Sequence, residues 1–296
     1  MRLLLLSIFS LFTVQAFSQG YIEAGYTPSR DFMDDDNKTH GSGDMWQISG
    51  RYTLPFSMQK NDEGRPIVWS GTFSGMYAFM SNKGMAAEIN PEQVLNFSFN
   101  VSHLRPISKR WYMMASLGAG VYSAPNEISF RSILANGAVI FAYRFRENLD
   151  IGIGVGLTNS YGVPIIMPMG FLKWTTTGRY EINVEMANAL KVSLSRRFGS
   201  RLKLSLVPCE MDGMSSVVKI DGKHKIYGVT RLRSYLRPEL RIGENSFVYL
   251  NVGGEMSHSV KIAERSLKGF ADSFKGKNSW SFDKAFNIIA GFKYGF

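Results

Sequence analysis

Between residues 225 and 242 the odd positions read Lys225, Tyr227, Val229, Arg231, Arg233, Tyr235, Arg237, Glu239 and Arg241, while Ile226, Leu232, Leu236, Leu240 and Ile242 fall on even ones. A spacing of two puts these sets on opposite faces of a β-strand. If the apolar face meets lipid, the guanidiniums must point the other way, because an arginine facing hydrocarbon at midplane costs about 2–4 kcal/mol. A row of inward arginines can concentrate anions along a water-filled bore. Preceding segments add Lys191, Arg197, Arg201 and Lys203, and the following one adds Asn251 and Glu255. The same residues also fit a closed interior, with the arginines paired against Glu181, Glu185, Glu239 and Glu255 in a salt-bridge network. The pattern leaves both readings open.

Other chemistry finds less support. The four histidines, His40, His103, His224 and His258, lie in separate segments with no nucleophile motif around them, so no catalytic residue is assigned and an enzyme is not expected. Glu210 and Asp212 share a strand face and could hold a proton or cation between them. A bulge after Pro208, with arginines nearby, is the plainer expectation. Asp34, Asp35 and Asp36 read as loop surface, without the spaced ligands of a calcium loop. No metal site and no cofactor are expected.

The elements that would position the arginines repeat along the chain. Trp46, Ile48, Gly50, Tyr52, Leu54 and Phe56 alternate with polar neighbours, as do Trp69 to Phe79 and Leu95 to Val101. Period-two segments are read at 20–28, 45–57, 67–80, 93–104, 110–123, 133–146, 149–159, 164–174, 179–186, 189–198, 201–220, 223–243, 245–257 and 283–296. The reading is an all-β, antiparallel transmembrane β-barrel of about 14 strands, with 12 or 16 the neighbouring even counts. Tight turns are expected at Glu147-Asn148, Gly199-Ser200 and Glu244-Asn245, long connections at 29–44 and 258–282, and uncertain register near Pro168 and Pro208. In the last segment Phe286, Ile288, Ala290, Phe292, Tyr294 and Phe296 form one apolar face ending in an aromatic residue, the expected barrel-closure signal.

Arg2, an apolar run from Leu3 to Val14 and small residues near Ala16 and Ser18 read as a Sec-type signal peptide over 1–19, leaving one barrel domain over 20–296. No cysteine follows the apolar run, which argues against a lipid anchor, and the lone Cys209 cannot form an internal disulfide. No later apolar stretch is long enough for a membrane helix, while a mean hydropathy of −0.09 is compatible with alternating barrel strands. The formal charge of +10 is dispersed along the chain. With export expected, nucleic acid is not among the partners.

The segments Ser102–Trp111 (SHLRPISKRW), Gly154–Met169 (GVGLTNSYGVPIIMPM), Glu210–Met214 (EMDGM), Glu264–Phe270 (ERSLKGF) and Gly291–Phe296 (GFKYGF) resemble a family of exported outer-membrane β-barrels of similar length. The resemblance spans essentially all of the expected mature chain. It implies fold and envelope location, and carries no functional residues across. The expected location is the bacterial outer membrane, with its lipid, periplasmic chaperones and the barrel-assembly machinery as partners. The expected role is a passive channel or transporter for small solutes, anionic ones among them. A closed structural or binding barrel is the alternative, and an outer-membrane enzyme stands behind both. Inward Tyr112, Tyr122, Phe247 and Tyr249 would speak for the closed form.

Overall fold

The computed structural model describes residues 18–186, 190–220, 222–273 and 280–295. The expected signal peptide therefore lies almost wholly outside the described residues, as does Phe296. Fourteen strands alternate up and down: β1 (Gln19–Met33), β2 (Thr39–Lys60), β3 (Pro66–Gly84), β4 (Gln93–Pro106), β5 (Trp111–Ser123), β6 (Ile133–Arg146), β7 (Leu149–Thr158), β8 (Ile165–Thr175), β9 (Glu181–Met186), β10 (Leu190–Phe198), β11 (Leu202–Ile220), β12 (Lys223–Arg241), β13 (Ser246–Glu264) and β14 (Trp280–Tyr294). Each pairs antiparallel with its chain neighbours, and β1 pairs with β14, which closes the sheet into a barrel. The only described α-helices are short: α1 (Met85–Ile89) and α2 (Leu267–Ser273). None is long and apolar enough to cross a membrane.

Period two sorts the wall into two faces. Ile22, Ile48, Phe73, Phe97, Leu117, Leu236 and Phe292 all point outward, and Ile153 and Ile166 are 74% and 72% exposed. A continuous apolar belt of this size is untenable in water and is the surface a membrane barrel shows to lipid. Aromatic pairs mark its edges: Trp69 stacks on His103 at 4.1 Å and Trp111 meets Tyr143 at 5.1 Å near one rim, while Tyr26 stacks on Trp46 at 4.4 Å toward the other. Turns behave as their residues demand. Gly199, at φ +66°, takes the left-handed position of the short β10–β11 turn.

Two segments expected as long loops are more ordered than that. The 29–44 stretch is mostly strand, because the Asp34 carboxylate accepts the N–H groups of Asp36 and Lys38 at 2.9 Å and meets His40 Nε2 at 2.7 Å, closing a short turn. Asp34 is thus a turn acceptor as well as loop surface. Those bonds, the Lys38 amide first, hold its carboxyl below the usual carboxylate range. This folded-state contribution is present above the ordinary carboxylate pKa and fades as pH falls through the depressed one. The 258–282 stretch likewise includes the end of β13, helix α2 and the start of β14.

At the mouth opposite the chain termini the barrel is filled. The β11–β12 hairpin bends across the opening until Val217 pairs in parallel with Ser123 of β5, a strand far round the ring. Met214, Val218, Tyr227 and Val229 of the hairpin pack on inward side chains of the wall, including Phe32, Met45, Met80, Val94, Val260 and Phe282. Val217 and Ile226 meet Leu134 beside Tyr122. Burying a side chain of this kind from water contributes about 1.5–3 kcal/mol. The barrel's largest apolar core is therefore a cap.

The closing seam is stapled from inside. Tyr249 of β13 lies across from Gly291 of β14, and its hydroxyl donates to Glu23 Oε2 of β1 at 2.8 Å. A Cβ at position 291 would overlap the tyrosine ring. Gly291→Val should therefore displace Tyr249 and cost about 1–3 kcal/mol, the usual range for overpacking. The readout is the temperature at which the folded, faster-migrating gel band is lost; a midpoint equal to that of the parent would contradict the assignment.

Candidate lumenal site

The inward side chains of β9 to β14 and β1 form one charged wall. Arg231 and Arg233 lie 4% and 5% exposed, and both are paired. Arg231 grips Asp212 with two bonds, Nε to Oδ1 and Nη2 to Oδ2, each 3.0 Å, and sends Nη1 to Gln47 Oε1 on β2 at 2.6 Å. Arg233 Nη2 donates to Asp212 Oδ2 at 2.7 Å and Glu210 Oε1 at 3.2 Å. Lys191 Nζ meets Glu210 Oε2 at 3.0 Å, and the Tyr235 hydroxyl donates to the same oxygen. Fork geometry of this type favours arginine over lysine.

A bulge makes the pairing possible. Leu202, Leu204 and Leu206 face lipid, so an unbroken β11 would turn Glu210 and Asp212 outward as well. Between Val207 and Glu210 the strand takes one residue more than β12 does, at Pro208, where a donor is missing anyway. The extra residue flips the face, setting Glu210 opposite Arg233 and Asp212 opposite Arg231. The second proline expected to disturb register, Pro168, sits in an unbroken ladder opposite Val155.

The remaining expected residues divide. Arg237 Nε donates to Asn251 Oδ1 at 2.6 Å, and its guanidinium lies 4.5 Å from the Tyr249 ring centre. Glu239 pairs with Lys293 at 2.7 Å, and Glu255 with Arg30 at 3.0 Å. Arg197 and Lys203 share Glu181, at 2.8 and 2.7 Å, near the rim. Arg201 lies exposed in the β10–β11 turn. Arg241 bonds the carbonyls of Gly243 and Glu244 and caps the next turn, so it lies at the strand end and not in the bore. Phe286, Phe292 and Tyr294 face outward on the closing strand, in register with Gly254, Val248 and Ser246 of β13.

The bulge after Pro208 and the arginines that hold Glu210 and Asp212 are as expected, whereas the acids expected for the closed salt-bridge network lie elsewhere. Glu239 and Glu255 serve Lys293 and Arg30, while Arg231 and Arg233 use Asp212 and Glu210. Arg30 was not among the expected residues, because the pattern of β1 stops at residue 28. A bulge between Thr27 and Arg30 adds one residue against β2 and turns Arg30 inward. Of the tyrosines expected to cross the bore, Tyr112 bonds Asp150 at 3.0 Å, Tyr122 supports the cap and Tyr249 staples the seam, while Phe247 lies under Lys293 Nζ at 5.0 Å.

Below the cap the bore holds a cavity of about 780 Å³. Four cationic side chains (Arg51, Lys191, Arg231, Arg233) and four carboxylates (Glu23, Glu185, Glu210, Asp212) are among the described lining residues. The facing wall, from β3 to β6, presents Ser74, Ser98, Asn100, Ser102, Ser116 and Asn136. The lumen therefore has a charge-balanced wall and a neutral hydroxyl and amide wall. Among the described residues no group of three or more His, Cys, Asp or Glu side chains could hold a metal. His40 is in the β1–β2 turn region, His103 faces outward, and His224 begins the hairpin's return strand; the His258 side chain lies outside the described residues.

Breaking one buried partner leaves the other charge uncompensated, at a cost of about 3–5 kcal/mol. Asp212→Ala should lower the unfolding midpoint sharply, and the double variant Asp212→Ala/Arg231→Met should recover much of the loss. Thermal melting of detergent-folded protein reads both; a single variant as stable as the parent would contradict the pairing.

An outer membrane channel from Pseudomonas putida F1 aligns at 8% identity over 94% of both chains, with a TM-score of 0.43. The beta domain of the Bordetella autotransporter BrkA aligns at 11% identity over 94% of this chain and 99% of that one, with a TM-score of 0.39, and the NanC porin at 8% over 93% and 98%, with a TM-score of 0.33. At these values the likenesses carry no argument about the architecture or about what the lumen binds. No curated protein matches the sequence. The family model described as "Domain of unknown function (DUF6268)" matches residues 14–295, all fourteen strands with the cap, and the chain belongs to that family.

Proposed function

We propose that the chain is a bacterial outer-membrane barrel that admits small solutes to its lumen and is shut at one mouth by the β11–β12 hairpin. The observation that carries this reading is the polar 780 Å³ cavity, enclosed by an intact wall and stopped by a hairpin that folds into the mouth. An even strand count puts both ends of the sheet at one side, which in exported barrels is the periplasmic one. The hairpin then faces outward. Lipid surrounds the apolar belt, and export followed by chaperone delivery and assembly of the sheet precedes function. A closed structural barrel is the second reading, favoured by the apolar cap and by the pairing of Arg231 and Arg233.

A reversible lock distinguishes them. Paired strands run about 4.8 Å apart, within the Cα range that a disulfide spans. In a Cys209→Ser background, Ser123→Cys with Val217→Cys should tie the hairpin across the mouth. Planar-bilayer recordings should show conductance in the reduced protein and its loss on oxidation. Silence under both conditions, repeated in a variant whose cap is loosened by Val218→Asp, would refute the conduit and support the closed barrel.

A further inference from the structure

Two residues that line the cavity each carry a buried polar atom without a partner. Arg233 Nε carries an N–H with no acceptor although its side chain is only 6% exposed, and Asn96 Oδ1 is a buried acceptor without a donor; both residues line the same space. Buried polar groups seldom go unmatched, since leaving one costs about 1–3 kcal/mol. One needs an acceptor, the other a donor. A hydroxyl supplies either.

The charged groups argue for the class of ligand that brings such hydroxyls. Each cation lining the cavity from β10 and β12 already touches a carboxylate at about 3 Å, so a free anion would have to compete with Asp212 and Glu210 for Arg231, Arg233 and Lys191. A free cation would face the same competition from the opposite side. The four cations and four carboxylates give the lining no net formal charge to favour either sign. The facing wall consists of serine hydroxyls and asparagine amides, each able to donate and accept. Tyr21 and Tyr122 add aromatic surface to the lining. A volume of about 780 Å³ lies within the range of roughly 300–1,000 Å³ typical of small-molecule sites.

We infer that the lumen binds an uncharged, polyhydroxylated solute, a neutral sugar or polyol, between the Arg233–Asp212 pair and the serine and asparagine wall. This rests on the lumen being reachable by solutes, the reading given above. A small side-chain shift on binding brings the buried Arg233 Nε–H and Asn96 Oδ1 to the hydroxyls, and the paired charges serve as a rigid set of dipoles. This replaces an anion-selecting role for Arg231 and Arg233, whose charges are already paired within the wall.

The test uses three rings of one size, glucose, glucuronate and glucosamine, offered to the detergent-folded barrel in saturation-transfer NMR. Glucose should show an affinity at least about tenfold above both charged analogues, a difference of roughly 1.4 kcal/mol. Arg233→Lys keeps the charge and removes Nε–H, and Asn96→Leu removes the acceptor without touching the ion pairs; each should reduce glucose binding to the level of the analogues. If Arg233→Lys fails to fold, Asn96→Leu alone decides. Equal binding of all three rings, preference for glucuronate, or no binding of glucose would overturn the inference. Conductance in the lock experiment reports separately: a conducting barrel that prefers glucuronate sinks only the ligand class, and a silent barrel that binds glucose sinks only the conduit.

Discussion

The structure depends on the pairing of β1 with β14. An open sheet edge in hydrocarbon leaves backbone N–H and C=O groups with neither water nor partner, at several kcal/mol each, so a sheet can cross a membrane only by closing on itself. Here closure runs from Gly20 opposite Tyr294 to Tyr26 opposite Ile288, with further pairing near the cap. Tyr249, reaching from β13 across Gly291 to Glu23, ties three consecutive strands at that seam. Once the ring is closed, alternation leaves no freedom: the outer face must be apolar and the inner face must find polar company.

How the inside is filled follows from that demand. Strands β11, β12 and β13 each run 19 residues, well beyond the roughly 9–11 that a tilted strand needs to cross. The surplus of β11 and β12 folds inward as the apolar cap. Beneath it, bulges at Thr27/Arg30 and Val207/Glu210 exchange the faces of two strands and bring Arg30, Glu210 and Asp212 into the bore. One irregularity thus supplies the carboxylates that pair Arg231 and Arg233, and the other supplies the cation that pairs Glu255. What remains is a polar cavity with matched charges on one side and small neutral groups on the other.

Most of the wall was legible in the sequence because its information is local. Alternation such as Phe97, Phe99 and Val101 against Ser98, Asn100 and Ser102 fixes both a strand and its facing, and strand boundaries near Ile133–Arg146 and Leu149–Thr158 fall where the pattern puts them. The cap was not legible as a cap, since Met214, Val218, Tyr227 and Val229 are ordinary strand residues by type. A signal was present in the adjacent pair Val217-Val218, which breaks alternation, and in the length of these strands. The inward arginines were readable, and so was the bulge after Pro208 that sets Glu210 and Asp212 against them; Pro28 marks the bulge at Thr27/Arg30 in the same way, but the period-two pattern read for β1 stops at residue 28 and so leaves Arg30 out. Arg241 shows the converse, a residue in phase with the lumenal row that leaves the bore because the strand ends there.

The central claim is a membrane-embedded wall with a polar interior, and β4 exposes it most directly. Spin labels placed singly in a Cys209→Ser background at Phe97, Phe99 and Val101, and at Ser98, Asn100 and Ser102, can be read in bilayers by relaxation with oxygen, which partitions into lipid. The account predicts a period-two profile, with strong relaxation at 97, 99 and 101 and weak relaxation at 98, 100 and 102. Uniform oxygen access along the strand, or alternation of the opposite phase, would contradict it.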